Sequence, residues 1–178
     1  MSGRLMFLLF LVVTMSAYAR ADQNFGLYSN AFKNGARIPR AHTCEGKDVS
    51  PPFFWQNPPP GTKSFALIME DPDAPDPKAP KMVWVHWVVF NIPASLKALP
   101  QGAKAHDFGF DEGLNDWKVP GYKGPCPPVG CHRYVSTLYA LDTTLSLQHP
   151  SKATLLQAMQ EHVLGTAVLT GLYQKNAP

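Results

Sequence analysis

The sequence is poor in charge, and the charges it has are nearly balanced. Charged residues make up 16% of the 178 residues, and 16 basic against 13 acidic side chains give a formal net charge of +3. Globular proteins average about 25% charged residues. No run of lysine and arginine is present, so a nucleic-acid-binding surface is not indicated. The 45% hydrophobic content argues against an intrinsically disordered chain, because disorder requires low hydrophobicity.

The N-terminal apolar segment is too short for a membrane span. It comprises eleven residues, Leu5–Met15, whereas a spanning helix needs about 20. Arg4 precedes it, and small residues at positions 17, 19 and 21 follow it, which is typical of a cleaved secretory signal peptide. We therefore expect a signal peptide over residues 1–21 and a single domain over residues 22–178. The mature protein would be periplasmic or secreted, without a stable membrane span.

Cysteine is scarce, with only Cys44, Cys126 and Cys131 in the chain. At least one of them must stay unpaired in a monomer, and an oxidising compartment would permit one disulfide. The sequence leaves all three pairings open, as well as three free thiols. No Cys-x-x-Cys pair points to a redox site or a zinc site.

Helical periodicity is also rare, and strand-like segments dominate. Four runs are rich in apolar, β-branched or aromatic residues and predict strands: FALIM (65–69), VWVHWVVFNI (83–92), HRYVSTLYAL (132–141) and AVLTGLY (167–173). These strands and their long connections predict a mainly β fold. The expected architecture is an antiparallel β-sandwich of two sheets with peripheral short helices and one C-terminal helix.

That helix is predicted from Ser151 onward. Ser151 suits the N-cap position, and Leu155, Met159 and Val163 recur on one helical face. Gly165 would follow the helix end, where glycine tolerates a positive φ.

Proline, by contrast, is abundant, and it frames the first informative segment, DPDAPDP (71–77). Three prolines fix the backbone and remove hydrogen-bond donors, so the preceding strand should end near Glu70 in a stiff loop. Asp71 and Asp73 would either build this turn through Asx hydrogen bonds or face a ligand.

The second informative segment, GPCPPVGCHRY (124–134), runs from a rigid loop into a strand. His132 and Tyr134 share one face of that strand, while Arg133 points to the other and should be a structural ion-pair partner. In the neighbouring VWVHW segment, Trp84 and His86 likewise share a face. A single histidine in an apolar strand is more often a core residue than a ligand.

Taken together, DPDAPDP, WVHW and GPCPPVGCHRY, with the strand tail VSTLYALD, resemble the phosphatidylethanolamine-binding protein family, and more closely its bacterial Raf-kinase-inhibitor-like branch. The resemblance runs in order through nearly all of the mature chain. It implies two packed antiparallel sheets with a small pocket at one end that accepts phosphate-like headgroups and similar small anions. The positions that match the family's site are Asp71, Asp73, Pro75, Trp84, His86, Gly124, Pro125, His132 and Tyr134. Cys131 and the acidic Asp76 depart from the branch's usual pattern.

The resemblance and the residues together predict an exported protein that binds a small anion or a phospholipid headgroup, without a cofactor. Two histidines and a tyrosine hydroxyl are expected donors to a phosphoryl oxygen, with affinity falling as pH rises through the histidine range. The alternative is an inhibitor or signalling partner of a protease or kinase, acting through the Pro127-Pro128 loop at the pocket rim.

Two further classes are weaker. A metal site could use Asp71, His86 and His132, but no close-spaced metal motif is present. A hydrolase lacks a G-x-S-x-G elbow, and Cys131 and His132, as strand neighbours, should point to opposite faces.

Overall fold

The computed structural model describes residues 24–175. The predicted signal peptide over residues 1–21 lies outside this range. In residues 24–175, no helix is both long and apolar enough to cross a membrane.

The described residues form two antiparallel β-sheets. A sheet of three strands has the order β1-β2-β5, and a sheet of five strands has the order β6-β4-β3-β7-β8. The strands are β1 (Gly26–Tyr28), β2 (Phe53–Gln56), β3 (Ser64–Ala74), β4 (Met82–Pro93), β5 (Ala98–Leu99), β6 (Asp111–Glu112), β7 (His132–Leu141) and β8 (Val163–Tyr173). A short 3-10 helix (Arg40–His42) and two helices, α1 (Ala105–Phe108) and α2 (Lys152–Met159), lie between them. The predicted mainly β fold of two antiparallel sheets with few helices is confirmed.

The large sheet has an apolar core on each face, because side chains alternate along its central strand β3. Phe65, Leu67 and Met69 point toward the small sheet and pack with Phe53 and Trp55 from β2. On the other face, Ala66 and Ile68 pack against two helix residues, Leu155 and Met159. A central strand that is buried on both faces has a continuous run of apolar residues, which is why apolar and polar residues do not alternate in FALIM.

The prediction that β3 ends near Glu70 is wrong for one of its two neighbours. Pairing with β7 does stop at Glu70, opposite Val135. Pairing with β4 continues to Ala74, through an irregularity between Asp71 and Ala74 that contains Pro72. A proline fits there because a bulge leaves one residue outside the ladder. The strand therefore carries the first half of DPDAPDP along β4.

The predicted helix starts where expected but ends early. The Ser151 hydroxyl accepts a hydrogen bond from the Thr154 backbone N–H, as an N-cap should. The helix stops at Met159, and Val163 already pairs with Leu141 on β7. Gly165 thus lies inside β8 rather than behind a helix. The spacing of Val163 from Met159 does not reflect a helix, because the Val163 backbone pairs with β7 in the sheet.

Candidate functional site

A small cavity lies where β3, β4 and β7 approach the 124–128 loop. Its volume is about 220 Å³, below the roughly 300–1,000 Å³ usual for drug-sized ligands. It is lined by Asp71, Ala74, Pro75, Met82, Trp84, His86, Trp117, Cys126, Pro127, Pro128 and His132. Three of these residues are ionisable and the rest are mostly apolar, so the cavity suits a small polar group.

His86 reaches the cavity because β4 has a bulge at that position. Met69 pairs with Trp87 and the next residue, Glu70, pairs with Val85, which leaves His86 as an extra residue in the ladder. A bulge changes the direction of the side chain it carries. The His86 ring therefore contacts Tyr134, a residue of the core between the sheets, with ring centroids 5.2 Å apart.

The His86 ring is buried and has a defined tautomer. Its Nδ1 lies 2.6 Å from the backbone oxygen of Lys123. A carbonyl can only accept, so Nδ1 carries the proton and Nε2 is the bare nitrogen of the neutral ring. Burial lowers the pKa of His86 below the usual 6.5, although the Lys123 carbonyl and nearby carboxylates oppose this effect. His86 is thus a neutral imidazole at pH 7.

Asp71 and His132 form a fully buried pair. His132 Nδ1 lies 2.7 Å from Asp71 Oδ2, and the two side chains are 0% and 5% exposed. His132 Nε2 donates to the backbone oxygen of Val129 at 2.9 Å. The other carboxylate oxygen of Asp71 accepts the backbone N–H of Asp73 at 2.8 Å. Asp71 therefore builds an Asx turn and also faces the pocket, so both readings of this residue hold.

Tyr134 lies behind the two histidines rather than in the cavity wall. Its ring is stacked on that of His132, with ring centroids 6.5 Å apart, and it contacts the His86 ring in an edge-to-face arrangement. Its hydroxyl is buried close to the Asp71 carboxylate. Burial, and secondarily the Asp71 carboxylate, raise the pKa of Tyr134 far above 10. The hydroxyl is therefore a permanently protonated donor at the back of the site.

Asp73 is turned away from the cavity. Its carboxylate accepts the backbone N–H of Arg133 at 2.8 Å and the guanidinium at 2.7 Å. The Arg133 guanidinium holds the pKa of Asp73 below its usual 3.8. Arg133 is the structural ion-pair partner that strand alternation predicts. The sequence-based assignment of Asp73 to the ligand site differs from its place here, because the bulged end of β3 directs it to Arg133.

We expect Arg133→Met to lower the free energy of unfolding by about 1 kcal/mol at pH 7, a modest value because the guanidinium is half exposed. Because pairing lowers the pKa of Asp73 in the folded state, this stabilisation is present above the usual pKa of 3.8 that applies to the unfolded chain and is lost as pH falls through the lower, folded-state pKa. Urea unfolding of both proteins from pH 2 to 7 measures the difference. Lys81→Met, at an exposed lysine, is the control, and a difference that does not change with pH would contradict the assignment.

Gly124 and Pro125 fix the loop behind the cavity but do not line it. The Gly124 N–H donates to Asp48 Oδ1 at 2.7 Å, and the Pro125 carbonyl accepts the N–H of Cys44 at 3.1 Å. A Cβ on Gly124 would lie 2.4 Å from the His42 carbonyl oxygen, so only glycine fits. These contacts set the position of the Lys123 carbonyl that holds His86.

A disulfide also fixes the loop behind the cavity. Cys44 is joined to Cys126, and Cys131 is a free, exposed thiol. The tertiary structure thus selects one of the three pairings that the sequence leaves open. Cys126 itself lines the cavity, so the bond ties the pocket wall to the segment that follows the 3-10 helix.

The family model for phosphatidylethanolamine-binding protein matches residues 28–174. This chain belongs to that family. A UPF0098 protein of Methanothermobacter thermautotrophicus is 47% identical over 154 residues, which cover 84% of this chain and 98% of the relative. A UPF0098 protein of Chlamydia pneumoniae is 40% identical over 151 residues, covering 84% and 99%.

Solved structures agree with the phosphatidylethanolamine-binding protein fold. A homologue of this family from Chlamydia trachomatis has a TM-score of 0.79 at 39% identity, covering 85% of this chain and 98% of its own. E. coli YbcL, described as a new member of the mammalian family, has a TM-score of 0.76 at 34% identity, covering 85% and 99%. The resemblance read from the motifs is therefore confirmed.

Within this family fold, the predicted site residues divide into two groups. Asp71, Pro75, Trp84, His86 and His132 line the cavity. Gly124, Pro125 and Tyr134 lie behind it, and Asp73 is turned away from it to pair with Arg133. Loop residues cluster with the strands here because the 124–128 loop folds back over the bulged ends of β3 and β4.

Sequence reasoning missed part of the cavity rim. The Trp117 ring packs edge-on against the rings of Trp84 and His86, with centroid distances of 5.4 Å and 5.2 Å. It stands in a connection without any periodic pattern, so only the fold brings it to the cavity. Met82 was missed because it lies at the very start of β4.

The metal alternative gains no support from the geometry. Among residues 24–175, no group of three or more histidine, cysteine or acidic side chains is arranged to hold an ion. Both ring nitrogens of His132 are already hydrogen-bonded.

Proposed function

We propose that this family member is an exported binding protein for a small phosphate-like anion or phospholipid headgroup, and that it binds this ligand without a cofactor. The observation that carries the proposal is the convergence of Asp71, His86 and His132, from three adjacent strands, on one small cavity. The signal peptide predicted from the sequence supports export, and the disulfide is consistent with it. Membership of the phosphatidylethanolamine-binding protein family supports the ligand class.

The cavity is shaped for a headgroup rather than for a whole lipid. At about 220 Å³ it would enclose a phosphoryl group with a few further atoms. The exposed rim side chains Met82 and Trp117 would contact whatever extends from that group. A phosphoryl oxygen would lie near His86, the one ionisable ring in the lining with a nitrogen not hydrogen-bonded within residues 24–175.

Affinity for phosphoethanolamine should fall as pH rises from about 5 to 8. Burial lowers the pKa of His86 in the free protein, and a bound anion favours the imidazolium. Binding is therefore strongest below the free pKa and weakens tenfold per pH unit until the bound pKa is passed. Titration with phosphoethanolamine at several pH values, followed by NMR through the histidine ring signals, measures this affinity, and exposed His149 is the internal reference.

The matched variants for that titration are His86→Ala and His149→Ala. The first should weaken binding and remove the part of the pH dependence that comes from the His86 ring, leaving that of the ligand's own phosphate, and the second should change neither. Affinity that is flat between about pH 5 and 8, within the histidine range, would contradict the proposal.

A protein-binding role is the second candidate, favoured by the exposed apolar rim. Met82, Trp117 and Val129 are 49%, 42% and 53% exposed beside the cavity. A carboxypeptidase Y inhibitor, solved in complex with its cognate proteinase, shares this fold at 20% identity and a TM-score of 0.52. The test is whether the purified protein slows carboxypeptidase Y and whether Trp117→Ala removes that inhibition. No inhibition at a large molar excess would exclude this enzyme as a target.

A further inference from the structure

The polar groups of the cavity are arranged unexpectedly for an anion site, since neither histidine has a free N–H when His86 is neutral. Both ring nitrogens of His132 already face acceptors, Asp71 Oδ2 and the Val129 carbonyl. The Nδ1 proton of His86 is committed to the Lys123 carbonyl. The expected role of both rings as ready donors to a phosphoryl oxygen is therefore corrected.

In the described part of the chain, the one nitrogen of the two rings without a hydrogen-bond partner is His86 Nε2, and its lone pair makes it an acceptor. It is not hydrogen-bonded to any residue in the range 24–175. Three prolines in the lining, Pro75, Pro127 and Pro128, bring no backbone N–H. Among the described lining residues, none is lysine or arginine. A fully deprotonated phosphate would thus meet few donors and one carboxylate.

The charges around His86 are also negative. The carboxylates that act electrostatically on its ring are Asp71 of β3, Asp48 before β2 and Asp116 after β6, the last of which is paired with exposed Lys118 at 3.5 Å. On the β7 side lies Tyr134, whose buried hydroxyl is uncharged. This surrounding disfavours a dianion and favours a ligand that brings its own proton.

We propose that the cavity selects a phosphoryl group that carries a proton, that is, the monoanion of a phosphomonoester, over a phosphodiester. The ligand's P–O–H donates to His86 Nε2, while the Nδ1–H bond to Lys123 is kept. Should the proton move across this bond, Nε2–H becomes the donor and the phosphoryl oxygen the acceptor, with the same atoms and total charge. This inference rests on the proposed function and narrows its ligand class.

The distinction is chemical, because only one of the two ester classes has a proton to offer. A phosphomonoester has a second pKa of about 6, so much of it is protonated at mildly acidic pH. A phosphodiester, the linkage of a phosphatidylethanolamine headgroup, has no such proton. It can bind only when His86 takes a proton from solvent, which burial opposes.

The test compares phosphoethanolamine with glycerophosphoethanolamine, a monoester and a diester that share the ethanolamine group. Calorimetry at pH 6 should give at least about tenfold tighter binding of the monoester, equivalent to one pKa unit. At pH 8, where the free monoester is a dianion, each binding event should take up close to one proton, measured in two buffers of different ionisation enthalpy. At pH 5, proton uptake should be small for the monoester and larger for the diester.

A variant separates the role of His86 from the fold. His86→Gln can place an amide N–H near the position of Nε2, so the preference for the monoester and the proton uptake at pH 8 should both decline. His106→Gln, at an exposed histidine, is the control and should behave like the unchanged protein. The ester comparison on the unchanged protein remains decisive even where His86→Gln does not fold.

Binding to lipid vesicles tests whether the phosphoryl group belongs to a lipid or to a soluble compound. Phosphatidic acid carries a phosphomonoester, so its vesicles should retain the protein more than phosphatidylethanolamine vesicles do if the source is a lipid. The reverse order would overturn the inference, as would equal affinity for the two esters, equal binding of ethanolamine alone, or binding at pH 8 without proton uptake. Absence of binding for every phosphate compound at pH 5 would instead remove the proposed function itself.

Discussion

Replacing Asp71 by alanine is expected to lower the free energy of unfolding by about 3–5 kcal/mol, the usual effect of breaking a buried pair. The carboxylate holds two buried partners at once, His132 Nδ1 at 2.7 Å and the Asp73 backbone N–H at 2.8 Å. Alanine would leave both of these buried donors without their acceptor. Each unsatisfied buried group costs about 1–3 kcal/mol. Urea unfolding at pH 7 measures the loss.

Asp71→Asn is the matched control, since it keeps the shape of the side chain. Its amide oxygen can still accept the Asp73 N–H, and its NH₂ group can donate to a neutral His132 ring. We therefore expect a much smaller loss than with alanine. Equal unfolding midpoints for Asp71→Ala and the unchanged protein would show that this pair does not support the fold.

Removing the disulfide is expected to have the second largest effect. Cys44 and Cys126 are 82 residues apart, so the bond restricts a large loop of the unfolded chain. Loss of a native disulfide commonly costs about 2–5 kcal/mol. The Cys44→Ala/Cys126→Ala protein should unfold at lower urea, and the unchanged protein should shift in the same way when a reductant is added.

The free cysteine supplies the control. Cys131 is exposed and unpaired, so Cys131→Ser should leave the unfolding free energy nearly unchanged. Thiol counting of the denatured protein should give one free thiol without reductant and three with it, since the chain has three cysteines. Three free thiols before reduction would contradict the pairing.

The fold was largely predictable because local patterns and long-range packing agree. The strand predicted at HRYVSTLYAL is β7 to the residue, and VWVHWVVFNI lies within β4. In both, β-branched and aromatic residues form a run bounded by turn-forming residues. Where prediction failed, a sheet neighbour decided the outcome, as when β4 extended β3 beyond Glu70 and β7 drew Val163 into a strand.

The candidate site was predictable only in part, for a related reason. His86, His132 and Asp71 could be named because their motifs resemble those of a known family. Which atoms they present to a ligand could not, because that depends on the carbonyls of Lys123 and Val129, and any residue supplies a carbonyl. Backbone partners leave no trace in sequence composition.

The sequence by itself determined the mainly β class, the places of the long strands, the family and most of the residues lining the polar part of the cavity. Periodicity and motif order are local or linear properties, so they can be read without the fold. The tertiary structure alone decided the Cys44–Cys126 pairing, the bulge that turns His86 inward, the pairing of Asp73 with Arg133 and the approach of Trp117. Each of these joins segments far apart in the chain, and their distances are set only when the sheets pack.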